Sequence, residues 1–432
     1  MSTPAGLEAA RALDAADPLR GFRARFAHPV DERGHEKLYL CGHSLGLMPL
    51  AARAAVTQEL DDWARLAVEG HEQAHRPWIP YHENLAAGLA SLAGARQDEV
   101  VAMNSLTVNL HLMLASFYRP HGARRRILIE AGAFSSDRHA VTSQLAWHGI
   151  DAGEALVELA PHAGAETVSH EAIEAYLEHH GEQVALVLWP GVQFRTGQAF
   201  DIARITRAAH RHGCIAGIDL AHAIGNMPLA LHEADADFAV WCSYKYLNAG
   251  PGAIGGCFVH LRHVEALAPS SHTGAIPGVR LAGWWGHEPP SRFLMGPQFH
   301  AARGADAWQV SNPPVLAAAP LVASLALFSE AGIEALRHKS LALTGFLEEQ
   351  LRPLQPRIQL ITPAAPAQRG CQLSVRIRGD AGRGREVLAG LGARGVVVDW
   401  RAPDIIRVAP VPLYNSFEDA WRFAGALREL LP

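Results

Sequence analysis

No long basic run interrupts this sequence, and acidic side chains outnumber lysine and arginine by 43 to 38. A formal charge of −5 without a basic stripe lacks the electrostatic footprint of a nucleic-acid binder. Cysteine is scarce: Cys41, Cys214, Cys242, Cys257 and Cys371 are scattered and form no C-x-x-C pair. That spacing argues against a disulfide framework and for small buried thiols in a reducing compartment. The amino-terminal stretch STPAGLEAARALDAADPLRGF reads as a polar helix and lacks the apolar core of a signal segment. The most apolar late stretch, 315–328, is too short to span a bilayer and carries Pro320. No internal repeat or low-complexity tract is visible. The expectation is a soluble, cytoplasmic protein with neither a nucleic-acid nor a membrane partner.

What the chain does have is apolar content. Nearly half of its 432 residues are apolar (49%), enough for two or three domains. Short extended runs at 99–103, 126–130 and 184–189 alternate with helical stretches at 51–68, 104–117 and 202–212. Another helix follows the loop 132–137, and a short extended run at 37–41 leads into Gly42-His43-Ser44-Leu45-Gly46. Such alternation predicts parallel crossovers and a doubly wound α/β sheet. From residue 313 the texture changes to long helices, a strand at 371–378 and a terminal helix at 417–431, read as a smaller α+β domain. The expected division is 1–50 as a segment joining the small domain, 51–312 as the large domain, and 313–432 as the small domain.

The chemistry concentrates in residues 214–256. Two strand-length apolar runs end in polar residues, Asp219 and His222 after the first, Tyr244 and Lys245 after the second. Open α/β sheets bind ligands at the carboxyl ends of their strands. A lysine with a carboxylate 26 residues before it suits pyridoxal phosphate: the amine forms a Schiff base and the acid keeps the pyridine nitrogen protonated. A helix cap at Asp219 and a solvated Lys245 are the bland alternatives. Two tyrosines flank Lys245, and a Gly-rich turn is expected after it (Gly250, Gly252, Gly255, Gly256), which favours the cofactor reading. The strand-to-helix segment 104–107 offers a phosphate seat that ends at Thr107, though capping alone accounts for that residue equally well. The loop at 132–137 adds Phe134 as a ring platform and Asp137, which also suits an N-cap.

Three further patterns match known motifs in part. Gly42 to Gly46 matches the G-x-S-x-G elbow of serine hydrolases, but Pro49 follows too soon for the required helix. His71-Glu72-Gln73-Ala74-His75 matches H-E-x-x-H, yet Gly70 precedes it and Pro77 breaks it, so no metal is expected. Arg407 interrupts an apolar strand, as a clamp on a substrate carboxylate would, or as a plain salt bridge would.

The stretches GHSLGL, GHEQAHRPW, MNSLTVNLHLML, FSSDRHA, RTGQAFDI, IDLAHAIGN, WCSYKYLNAGPG, GWWGHE, VSNPP and IRVAPVPLYNSFED, in that order, resemble the kynureninase family over nearly the whole chain. The resemblance implies a pyridoxal-phosphate-dependent hydrolase of transferase fold type I, working in tryptophan catabolism toward NAD. It implies Lys245 as the Schiff-base lysine, Asp219 at the pyridine nitrogen and Phe134 stacked on the ring. Leu106, Thr107, Asp137, His222, Tyr244, Trp284 and Asn312 would also contact the cofactor, Tyr244 at its phosphate, and Tyr244 is the candidate proton donor. Ser44, His71, Ser311, Asn312 and Arg407 would meet the substrate, Arg407 at its α-carboxylate. Homodimers with the active site at the subunit interface are implied as well. The chain departs from the family pattern at His43, commonly asparagine, and at Pro190, where relatives offer a serine near the phosphate. His71 and Ser311-Asn312 are the choices of members that favour 3-hydroxykynurenine, where kynurenine-favouring members carry Trp and Gly-Thr. The competing reading is a class V aminotransferase or a cysteine desulfurase, for which Cys371 is the one late candidate. A regulator of the same fold would need a basic module that the sequence lacks.

Overall fold

The structure is a computed structural model that describes residues 6–265, 280–380 and 382–431. Seven strands form its main sheet: Val100–Ala102 (β1), Arg126–Glu130 (β2), Leu156–Leu159 (β3), Val184–Pro190 (β4), Ile215–Asp219 (β5), Phe238–Cys242 (β6) and Gly255–Val259 (β7). Their order across the sheet is β1-β7-β6-β5-β4-β2-β3. Strands β2 to β6 are parallel, while β7 runs antiparallel between β6 and β1.

Both faces of this sheet are covered, which is why β4 is apolar along its whole length. Side chains alternate between faces with a period of two. Ile127 and Ile129 join one core with the helices Leu106–Phe117 (α1) and Ser135–Trp147 (α2). Leu128 joins the opposite core with His170–His180 (α3) and Ile202–Arg211 (α4). Asp201 caps α4 by accepting the Arg204 N–H at 2.9 Å, and Gly213 leaves the helix with φ of 70°. The helix Val315–Ala331 (α5) packs into the large-sheet core beside Leu85, Leu89 and Trp241. Among the described residues no single helix is long and apolar enough to cross a membrane.

A second, antiparallel sheet comprises Ile358–Leu360 (β8), Leu373–Ile377 (β9), Asp399–Arg401 (β10) and Ile405–Val408 (β11), in the order β8-β9-β11-β10. The helices Ile333–Leu351 (α6) and Phe417–Leu430 (α7) cover it, and Ala10, Leu38 and Leu40 share its core. Leu38–Tyr39 pairs in parallel with Val396–Val397, and Cys41 bridges Ala409 just past β11. The turn at Gly42 therefore lies beside the strand that carries Arg407.

One local expectation fails. Gly255 and Gly256 are not part of a turn but open β7, paired with Cys242 and Trp241. Glycine is needed there for space: a Cβ on Gly256 would sit 2.2 Å from the Trp241 ring. Gly250 and Gly252, at φ of 83° and 73°, do form the turn. Strand β3 and helix α3 had no expectation; β3 is a half-buried edge strand whose alternation is too short to stand out.

Gly256→Ala should lower the unfolding free energy by about 1–3 kcal/mol, because fully buried Trp241 has nowhere to move. Denaturant melts of variant and parent measure this.

Candidate active site

The parallel strands end on one edge, and a cleft of about 660 Å3, mouth included, opens there. Strand β5 delivers Asp219 to it, and the loop after β6 delivers Tyr244 and Lys245. The lysine loop is held from outside. The Gly46 N–H donates to the Tyr244 carbonyl at 2.8 Å, and a Cβ on Gly46 would lie 2.3 Å from the Lys245 carbonyl oxygen. The Gly42 to Gly46 segment thus works as packing against the lysine loop, with half-buried Ser44 in its turn.

Lys245 Nζ lies 3.2 Å from His222 Nε2 and 5.7 Å from the Phe134 ring centroid. Burial holds the His222 imidazole well below its ordinary value, with the Lys245 charge adding to the effect, so it is neutral. Asp219 Oδ1 accepts the Ala221 N–H at 2.6 Å. Beside it stands Asp137, in the first turn of α2. Burial, then the Asp219 charge and a hydrogen bond to Asp219, push its carboxyl well above the ordinary range. Asp137 is therefore protonated, and its Oδ1 has no hydrogen-bond partner in the protein. Glu130, which ends β2, also lines the cleft; burial, with the Asp219 charge adding, pushes it up to about 8.

Two helices start at the cleft. Asn104 turns the chain off β1 with φ of 45° and anchors to Asn109 Oδ1 at 2.9 Å, so that α1 begins at Leu106. The Thr107 hydroxyl on α1 meets the Ser136 hydroxyl on α2 at 2.7 Å. Helix starts of this kind, with N–H groups that lack an intrahelical acceptor and two hydroxyls beside them, can hold an anion. Leu106 and Pro190 also line the cleft, Pro190 paired with Asp219 at the ends of β4 and β5.

Leu106, Thr107, Phe134, Asp137, Asp219, His222, Tyr244 and Lys245 thus share one cleft. Arg407 does not line it. Fully buried, it donates from Nε to Asp399 Oδ1 at 2.9 Å and from Nη1 to the Phe194 carbonyl at 2.8 Å. Phe194 is the wall between them, edge-on to Phe134 at 5.4 Å. His71 and Asn312 lie elsewhere, in a second apolar cavity walled by Trp63, Trp78 and Trp285. Ser311 is exposed next to Asn312, and Trp284 is exposed with its indole N–H on the Arg292 carbonyl at 3.1 Å. His71 and His75 do not share a helix face, since the helix at this point is only Gly70–Gln73.

Sequence reasoning passed over Glu130, Ser136 and Phe194. An acid closing the apolar run RILIE is the same signal that drew attention to Asp219 after IAGI. Cys371 is fully buried with its N–H on Asn226 Oδ1 at 3.0 Å, and burial pushes its thiol up to about 12. It is no exposed nucleophile.

A family model, the kynureninase C-terminal domain, matches residues 336–427. The kynureninase of Xanthomonas campestris pv. campestris (strain B100) is 56% identical over 97% of this chain and 96% of its own length. That of Xanthomonas axonopodis pv. citri (strain 306) is 55% identical over 98% of both. Among solved structures, the cystine C–S lyase C-DES in complex with cysteine persulfide superposes with a TM-score of 0.76 at 20% identity, covering 92% of this chain and 98% of that one. An apo cysteine desulfurase from Thermococcus onnurineus NA1 gives 0.70 at 16% identity, covering 91% and 94%. These distant structures share the fold.

A folded-state acid with a raised pKa stabilises the protein below its unfolded value and loses that contribution as pH climbs through the folded value. For Glu130 the window runs from 4.5 to about 8. Glu130→Gln should therefore gain stability relative to the cofactor-free parent as pH rises across that window. Thermal melts at about pH 5 and about pH 8 test it.

Proposed function

This chain belongs to the kynureninase family, and on that premise we propose that it hydrolyses L-3-hydroxykynurenine in preference to L-kynurenine, giving 3-hydroxyanthranilate and L-alanine. The observation that carries the reading is the shared cleft: Lys245 and Asp219 line it together, with the Phe134 ring 5.7 Å from the lysine amine.

The cofactor is pyridoxal phosphate, and the cleft suits it on its own chemistry. Glu130, Asp137 and Asp219 are three buried carboxyl groups set against a single lysine and a neutral histidine. With Asp137 and Glu130 holding their protons more tightly than ordinary carboxyl groups, Asp219 is the acid placed to pair with a protonated pyridine nitrogen. Lys245 would hold the aldehyde carbon, Phe134 the ring face, and Thr107 with Ser136 the phosphate. Ser136 would supply a hydroxyl on the side where Pro190 offers none.

When bound, the cofactor supplies an electron sink for charge that develops at the substrate Cα. Asp219 keeps the proton on the ring nitrogen, and Asp137, itself protonated, donates to Asp219. His222 fixes the Lys245 amine, which takes the Cα proton. Water adds to the γ-carbonyl and the Cβ–Cγ bond breaks with its electron pair left on Cβ, so the acyl part departs as the anthranilate; burial pushes the Tyr244 phenol well above its ordinary range, so it keeps a proton to deliver to Cβ. Arg407, held behind the Phe194 wall rather than in the cleft, would orient the α-carboxylate and so decide which Cα bond faces the ring.

His71 and Asn312 share a cavity with three tryptophans, a setting that fits a hydroxylated aromatic ring. A site that hydrogen-bonds a ring hydroxyl discriminates against the substrate that lacks it. Exposed Trp284 and this open second cavity support a homodimer in which one subunit's cavity completes the partner's cleft. Five buried unpaired cysteines support a reducing, cytoplasmic setting.

Lys245→Ala should abolish the near-visible absorption band of the bound cofactor and cut kcat by roughly a thousandfold or more. A variant that kept both would overturn the assignment. Combining His71→Trp with Asn312→Thr should move the kcat/KM ratio toward unhydroxylated kynurenine by about tenfold. An unchanged ratio removes the substrate preference.

A further inference from the structure

Arg407 raises a problem of charge balance. A buried guanidinium requires a partner, and β10 supplies one directly across the strand pair, where Asp399 faces Arg407 in register. If that were the whole arrangement, the pair would be neutral and saturated, with little left to attract a substrate anion. It is neither. Arg401, two residues along β10, reaches the same carboxylate, with Nε 3.1 Å from Oδ1 and Nη2 3.1 Å from Oδ2.

Two guanidinium groups thus share one carboxylate. The other titratable groups nearby do not change the balance. Burial, with Arg407, Arg401 and Lys245 adding, holds His43 well below its ordinary value, so the imidazole is neutral. Burial pushes the neighbouring Cys41 thiol up to about 12. The cluster therefore carries one net positive charge. It also has spare donors: Arg407 Nη2 lies 2.8 Å from Asp399 Oδ2, but its N–H groups are not aligned with that oxygen and have no acceptor. Arg401 is the more accessible of the two (34% against 1% side-chain exposure) and lies 5.7 Å from the ring centroid of Phe194, the wall of the lysine cleft.

We infer that Asp399 is a positioning residue that holds both guanidinium groups by one edge, and that Arg401 joins Arg407 in a two-arginine seat for the substrate α-carboxylate. A purely structural ion pair would match its charges and fill its donors. This inference rests on the proposed role of Arg407, and the experiment separates the two. The holoenzyme is titrated with L-alanine and with L-alaninamide, which differ only at the carboxylate, and the cofactor absorption reports each affinity. The parent should prefer L-alanine. Asp399→Glu, which keeps the charge and displaces the carboxylate, and Arg401→Gln should each reduce that preference by about tenfold while the absorption band persists. If the parent shows no preference, the Arg407 reading fails, and this inference with it. If the parent discriminates and both variants do so equally well, Arg407 stands and the Asp399–Arg401 inference is overturned. Should Asp399→Glu fail to fold, Arg401→Gln at the exposed edge decides the question alone.

Discussion

Everything at this site depends on one electrostatic constraint: Glu130, Asp137 and Asp219 are buried together with one lysine amine as their cationic counterpart. Carboxylates crowded in an apolar wall cannot all stay ionised, so Asp137 keeps its proton and Glu130 titrates near 8. Asp219 accepts from its protonated neighbour, and a cationic ring nitrogen brought into the cleft would pair with it.

The fold makes that crowding possible by bringing strand ends together. Glu130 ends β2 and Asp219 ends β5, with β4 between them in the sheet. The lysine follows β6, on a loop pinned by Gly46 and turned by Asn248 at φ of 52°. Helices α1 and α2 then present their free N–H groups on the same side. The second sheet adds its arginines from behind Phe194, so the guanidinium groups and the three acids occupy opposite sides of one aromatic wall.

Much of this was legible before any coordinates. Alternating apolar runs and helices predict the parallel sheet, because a strand covered on both faces has to be apolar throughout. Asp219 and Lys245 stood out because polar residues that end apolar strands lie where such sheets bind ligands. Glu130 carried the same signal after RILIE but lacked a partner in sequence to draw attention to it. Ser136 was hidden among capping residues, since a hydroxyl at a helix start has a local explanation. Gly255 and Gly256 misled for the opposite reason: glycine reads as a turn, whereas here it makes room for Trp241.

The sequence by itself determined most of the strands and helices and marked Asp219 and Lys245 as the candidate pair, because these follow from local periodicity and from residue chemistry. Only the tertiary structure decided which groups share a dielectric environment. It put Arg407 behind Phe194 with Asp399 and Arg401, gave His71 and Asn312 a separate cavity, and set three acids side by side. Charge coupling falls off over a few ångströms in space, and chain separation says nothing about that distance until the sheet has folded.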